Sequence, residues 1–312
     1  MDKLDKSCFE WVGVNTLESE SIARPSTSYW RDAMKRLSKN KTAVVCLCVI
    51  MVIGIFAILV PMLSPYTISE QHLTHTNAKM GFKDLVDGHF HIFGTDTLGR
   101  DLFTRIWSGA RISLFISFAA VFVNFIIGIV YGGVSGYMGG RIDNIMMRFI
   151  EVINGIPYLI IVILLMMVLE AGVWTIIIAY AFVGWTGMAR LVRGQIMSLK
   201  ELDYVIAAKV MGAKSPRIIF KHLIPNTLSV VIVNITLAIP SAIFTEAFLS
   251  FIGLGVPVPL ASWGTLANDG IKVFQIYPSQ LIIPALCISI TMLSFNLLGD
   301  GLRDALDPKL RR

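Results

Sequence analysis

Four of the five histidines, His72, His75, His89 and His91, fall between residues 64 and 110, and Asp87 is the nearest carboxylate to the last pair. Imidazole and carboxylate together could ligate a transition metal. The His89–His91 spacing matches no helical ligand pair, however, so the segment reads as a solvated loop carrying surface histidines. Of the four cysteines, Cys46, Cys48 and Cys287 lie in apolar stretches and none forms a C-x-x-C pair with another or with Cys8. Neither a disulfide framework nor a zinc site is expected from that pattern. Membrane-enzyme chemistry is also disfavoured, because no H-E-x-x-H and no acidic pair occurs in the apolar stretches. Glu246 is different, since it stands alone between uncharged stretches at 223–245 and 247–268. A carboxylate at a bilayer centre costs about 2.5–3.5 kcal/mol, so it must face protein or water. It either lines a translocation path, meeting an amino group of the cargo, or makes a structural hydrogen bond to another helix or to the turn at 253–255.

The elements that must hold such a residue are membrane helices. The 312 residues are 55% hydrophobic and 15% charged, with a mean hydropathy of +0.69. Soluble chains carry about 25% charged residues. Further uncharged stretches run over 42–69, 112–140, 152–169, 171–189 and 273–299. A membrane-spanning helix needs about 20 apolar residues. The stretch 247–268 holds Gly253, Gly255, Pro257, Pro259 and Gly264, too many breakers for a lipid-facing helix. It therefore reads as a helix end followed by an external turn. Six spans result, near 43–63, 112–133, 152–169, 172–189, 227–250 and 279–299, in an all-α membrane bundle. Gly128, Gly132 and Gly136 recur every four residues and predict a face open to close helix packing, with Gly139 and Gly140 as a turn. Pro157 and Pro240 are expected to kink their helices.

Lys and Arg placement orients the bundle. With the N-terminus inside, 21 of the 27 basic residues fall on the cytoplasmic side. Both termini are then cytoplasmic, the net charge of +6 is a product of topology, and a nucleic-acid partner has no basic face to use. Residues 1–28 read as a mobile tail. Trp30, Met34 and Leu37, set among basic residues, predict a short amphipathic helix at the inner lipid surface. Asp143, Arg148 and Glu151 gather at the inner end of the third span, where Arg148 and Glu151 are spaced for an ion pair.

The connection between the fourth and fifth spans, 190–225, is long and patterned. Asp203 opens a helical run with Tyr204, Ala207, Ala208 and Lys209, and suits the positive end of the helix dipole. Gly212 fits a left-handed position that ends that helix. Ser215 and Pro216 then supply an N-cap and a first-turn proline for a second short helix through Lys221, with Pro225 at the entrance to the fifth span. The Ala207–Ala208 pair gives the first helix a thin surface, suited to a groove on a partner or to its own bundle.

The run from Asp203 to Gly212, nine residues, and then His222-Leu-Ile-Pro225 resembles the EAA signature of ABC importer permeases. Ile206 stands where that signature usually carries Glu, a departure which implies that the Glu is not essential to docking here. Phe93–Asp101, Gly136–Asp143, Glu246–Gly255, Ser262-Trp263-Gly264 and Leu298–Pro308 are similar to dipeptide and oligopeptide permeases, in particular the C-type subunit. The resemblance covers roughly residues 29–310. It implies a type I ABC importer fold, with a basic helix, first span and external loop at 29–110, the transmembrane domain at 111–300 and a cytoplasmic tail at 301–312. It also implies a second homologous permease, two cytoplasmic ATPases that bind ATP and Mg, and an extracytoplasmic peptide-binding protein, in a prokaryotic plasma membrane. No G-x-x-x-x-G-K-[ST] loop occurs, so ATP binds on another chain and this chain holds no cofactor. The loop from Asp203 to Pro225 would couple ATPase closure to a switch of access. A nickel or other small-solute permease is the alternative within the family, and a proton-coupled carrier working alone is the alternative outside it.

Overall fold

The computed structural model of the chain describes residues 29–83 and 90–307. The tail at 1–28, Asp87 and His89 lie outside the described residues. Helix α1, Tyr29–Lys39, leads into α2, Lys41–Leu63. Asn40 separates the two, and its side chain caps α2 by accepting from the Ala43 amide. A connection with one two-stranded antiparallel ribbon, β1 (Phe82–Lys83) and β2 (Phe90–His91), reaches α3, Leu102–Met138. Then come α4 (Gly140–Asn154), α5 (Tyr158–Leu169), α6 (Val173–Val183) and α7 (Trp185–Leu199). The extramembrane helix α8 is Asp203–Val210. Helix α9 runs over Ser215–Phe251, α10 over Trp263–Lys272 and α11 over Ser279–Leu306.

Among the described residues, five continuous helices are long and apolar enough to cross a membrane: α2, α3, α6 with α7, α9 and α11. The pair α4–α5, bent by 78°, is together long and apolar enough to count as a sixth when taken as one broken span. The third span is thus not one straight helix from 152 to 169. Pro157, lacking an N–H, caps α5 after a break at 155–157, so the kink is a corner. Nor does α3 start at 112. It begins at Leu102, where Asp101 accepts from the Thr104 amide, and its early charge Arg105 is paired instead of excluded. The second short helix through Lys221 is not separate either. Residues 218–223 form a π-helical segment that carries the chain without interruption into the fifth span. Lys214, not Ser215, holds the N-cap position there.

Glycine decides how α3 packs. A Cβ on Gly128 would lie 2.6 Å from Met188 Cβ, and one on Gly136 would lie 2.8 Å from the Arg193 carbonyl oxygen. Both are closer than side chains tolerate, so α3 and α7 touch backbone to backbone along that face, as the four-residue spacing predicts. Around this contact Ile129, Val192, Ile196, Val205, Ile218 and Leu223 form one buried cluster that joins α3, α7, α8 and α9. The apolar face of α1 is only partly used. Leu37 packs near Ala43 and Leu298, Tyr29 Oη donates to the Leu306 carbonyl at 2.8 Å, and Trp30 and Met34 stay exposed.

Candidate functional site

The 203–225 connection has two chemical faces. Val205 and Ala208 turn inward, and Ala208 is 4% exposed against its own bundle. Ala207 is exposed, so the alanine pair does not offer one surface. Outward stand Tyr204, Ile206, Val210 and Met211, the last two 83% and 81% exposed. Ile206 therefore contributes apolar surface where the signature usually has an acid. Lys209 does not reach outward freely, since its Nζ lies 5.3 Å from the centre of the Tyr137 ring, within cation–π range. Asp203 is the first helical residue and is exposed. Gly212 has φ +80°, and the amides of Gly212 and Ala213 close the end of α8 on the carbonyls of Lys209 and Ala208. Ser215 is exposed and Pro225 sits near the start of the regular part of α9, with Asn226 Nδ2 donating to the His222 carbonyl at 2.6 Å. The loop is held rigidly from below while an apolar surface projects.

Beneath it lies a clamp that the sequence motif only half discloses. Asp143 is buried and does not join Arg148. It accepts Arg193 Nε and Nη2 at 2.5 Å each, and Ser135 Oγ at 2.5 Å. Arg148 and Glu151 do pair, at 2.8 Å, on the exposed side. Lys200 Nζ adds a bond to the Gly136 carbonyl at 2.9 Å. This fork-on-fork geometry ties α7, which feeds the loop, to α3 and α4.

Glu246 lies at the opposite end of α9 and is 1% exposed. Ser113 Oγ donates to its Oε2 at 2.6 Å and Ser250 Oγ to its Oε1 at 2.7 Å. The Trp263 amide donates to Ser113 Oγ at 3.1 Å, and Ser262 Oγ donates to Ser250 Oγ at 3.1 Å. The carboxylate thus bonds across helices and gathers α3, α9 and the start of α10 around itself. Helix α10 itself is an addition to the sequence reading, which left 252–268 as a turn. Its signal was present, since Ser262 and Thr265 form a reciprocal cap at three-residue spacing.

The 64–101 connection is equally ordered where described. His91 is fully buried, contrary to the expectation of a surface histidine, because its Nδ1 pairs with Asp101 Oδ1 at 2.9 Å and its ring stacks on Tyr66. Among the described residues, no three His, Cys, Asp or Glu side chains converge to hold a metal.

These features define a multi-pass helical membrane component with an ordered connection between two of its spans, the class to which transport permeases belong. Residues 124–312 match the family described as binding-protein-dependent transport system inner membrane component, and residues 28–79 match the N-terminal TM domain of oligopeptide transport permease C. The dipeptide transport system permease protein DppC of Bacillus subtilis is 52% identical over 97% of this chain and 94% of its own length. The oligopeptide transport system permease protein OppC of the same organism is 50% identical over the full length of both, and OppC of Escherichia coli K12 is 43% identical over 95% of this chain and 97% of its own length. In fold, the chain resembles a solved chain of the inward-facing MetNI methionine ABC transporter, with a TM-score of 0.50, 17% identity, and coverage of 64% of this chain and 94% of that one.

The chain belongs to the binding-protein-dependent transport system inner membrane component family. It is a type I permease subunit spanning the membrane several times, a transport component and not an enzyme, and the family implies partner permease, ATPase and binding-protein subunits in general.

Proposed function

We propose that this chain is the C-type permease of an importer of dipeptides or oligopeptides, and that the 203–225 connection is where ATPase subunits take hold. Relatives named for dipeptide and oligopeptide transport, at 52% and 50% identity, favour peptide over nickel or another small solute. The observation carrying the coupling role is the projecting apolar face of Tyr204, Ile206, Val210 and Met211 on an extramembrane helix whose inner side is fixed. An exposed apolar patch next to rigid packing is what a protein partner buries.

In this reading both termini and the 203–225 connection lie in the cytoplasm of a prokaryotic cell, residues 111–300 form the transmembrane domain, and residues 29–110 add a surface helix, a span and the external loop. A second homologous permease completes the pathway, two ATPases bind ATP and Mg, and an extracytoplasmic protein delivers the peptide. ATPase closure pulls α8, and the rigid α3–α7 contact and the Asp143–Arg193 clamp pass the motion into the bundle. Glu246 acts as a tie between helices, not as a contact for cargo, because both carboxylate oxygens are engaged by serine hydroxyls. Uptake of labelled peptide by proteoliposomes holding the assembled importer tests the reading. Uptake is expected only with ATP and the binding protein. Gradient-driven uptake by this chain alone, or nickel uptake without peptide uptake, would overturn it.

A further inference from the structure

Of the two arginines on α3, Arg105 is paired and Arg111 is not. Arg111 is exposed and forms no hydrogen bond, ion pair or ring contact among the described residues. Its depth makes that costly. Ser64, which ends α2, has its Oγ 2.6 Å from Thr104 Oγ1, so Thr104 is level with the outer end of that span. Arg111 follows seven positions later, about 10 Å further along α3, beside Gly54 and Ile58 of α2. The 23 residues of α2 are about as long as a bilayer core is thick, so Arg111 lies at the level of hydrocarbon. A charge there must face protein or water.

No acid of the described residues answers it. Glu246 is reached from α3 through Ser113, which the helical repeat turns about 160° away from Arg111. Phe90, next to the undescribed stretch 84–89, lies with Phe56, Leu59 and Leu63 on one flank of α2, whereas Gly54, Ile58 and Met62 border Arg111 on the other. Helix α2 thus stands between Phe90 and the guanidinium. The groove at Arg111, of about 430 Å³, is otherwise lined by apolar residues. Phe115 carries it into a second groove, of about 480 Å³, where Phe118 and Phe122 meet Ile235 and Ile239 of α9. Arg111, Phe115, Phe118 and Phe122 succeed one another at four, three and four positions and form one exposed face of α3. From Arg111 to Phe125 this face is about 21 Å long, room for about six residues of extended chain.

We infer that this face of α3 is a track for the peptide in transit, and that Arg111 holds the peptide's C-terminal carboxylate. The inference rests on the functional reading above and names what that reading leaves open, the residue that meets the cargo. A guanidinium grips a carboxylate with two parallel bonds. Peptides of every sequence share that carboxylate, whereas their side chains differ. A single fixed cation followed by an aromatic surface therefore selects a chain end and tolerates what is attached to it. With the carboxylate at Arg111, the amino end of the peptide lies nearer the cytoplasm.

The test uses the assembled importer in proteoliposomes, with ATP and a saturating amount of its binding protein. That protein is loaded with one peptide in two forms, C-terminal carboxylate and C-terminal amide. The wild type is expected to take up the carboxylate form about tenfold faster. Arg111→Gln is expected to lower uptake of the carboxylate form about tenfold and to leave the amide form as it was, so that the preference disappears. Arg111→Lys keeps the charge and loses the fork, and should keep part of the preference. Where Arg111→Gln lowers the amount of assembled subunit, Arg111→Lys carries the same comparison. Equal loss of both forms overturns the inference, and reduced co-purification of the second permease in that variant would assign Arg111 to the contact between permeases. Unchanged uptake of both forms overturns it as well and leaves the cation to lipid phosphate. A wild type that takes up both forms alike overturns only the assignment of Arg111. One that takes up neither, with ATP and binding protein present, contradicts the functional reading itself.

Discussion

At the face formed by 64–101 and α10, a set of charged side chains is buried, although Leu73, Phe90 and Ile92 stand exposed around it. At the face formed by 200–225, apolar side chains stand in the open and the charge pair lies underneath. Asp96, Asp101, Arg105, His91 and Glu246 are nearly inaccessible, each bonded across elements. Val210 and Met211 are nearly free. Burying a polar network is worthwhile only when its members satisfy one another, and it then fixes one arrangement of the helices. Leaving apolar surface exposed makes sense only where something else covers it. In the proposed function the first face keeps a shape and the second receives a force.

Breaking that contrast should first show at Val210 and Met211. Charging both to Glu is expected to lower peptide uptake by at least about 30-fold, the loss of an interface hot spot of about 2 kcal/mol. The amount of subunit in the membrane and its melting temperature should stay as in the wild type. A fall in protein level instead would mean that these residues stabilise the fold.

Glu246→Leu inverts the pattern. It strips the acceptor from Ser113 and Ser250 in a dry site, and a lost acceptor there costs about 1–3 kcal/mol. Thermal unfolding in detergent should shift down and protein level should fall, with Glu246→Gln much milder. Full protein with lost uptake in both variants would place Glu246 in the pathway. A smaller step is His91→Phe, which keeps the stack on Tyr66 and removes one bond to Asp101, for about 1 kcal/mol of stability. Smallest is Arg148→Gln. Its pair with Glu151 is exposed on both sides, so the melting temperature should move by the equivalent of less than about 0.5 kcal/mol.

Much of this contrast could be read from residues alone. Uncharged runs located the five continuous crossings, because a helix satisfies its own backbone polar groups in lipid. The glycines of α3 foretold a close contact, since absence of a side chain is a local property. Less legible was anything set by a distant partner. The start of α3 was misplaced because Arg111 closes the uncharged run, whereas the helix continues back through Arg111 and through Arg105, which pairs with Asp96. His91 looked like a surface residue because its cover, Tyr66, lies 25 positions earlier. Ala207 and Ala208 were taken together, yet adjacent positions on a helix point about 100° apart, so burying one exposes the other. Asp143 was grouped with Arg148, five residues away, whereas its ligand Arg193 comes from α7.

The account depends most on whether Met211, and not Ala208, meets the ATPase. A single cysteine would be placed at either position, with Cys8, Cys46, Cys48 and Cys287 replaced, and a short thiol crosslinker applied to cells. Capture of a nucleotide-hydrolysing protein through position 211, with little through 208, is the predicted result. Capture of no such protein through position 211, from a subunit that still supports peptide uptake, would contradict it.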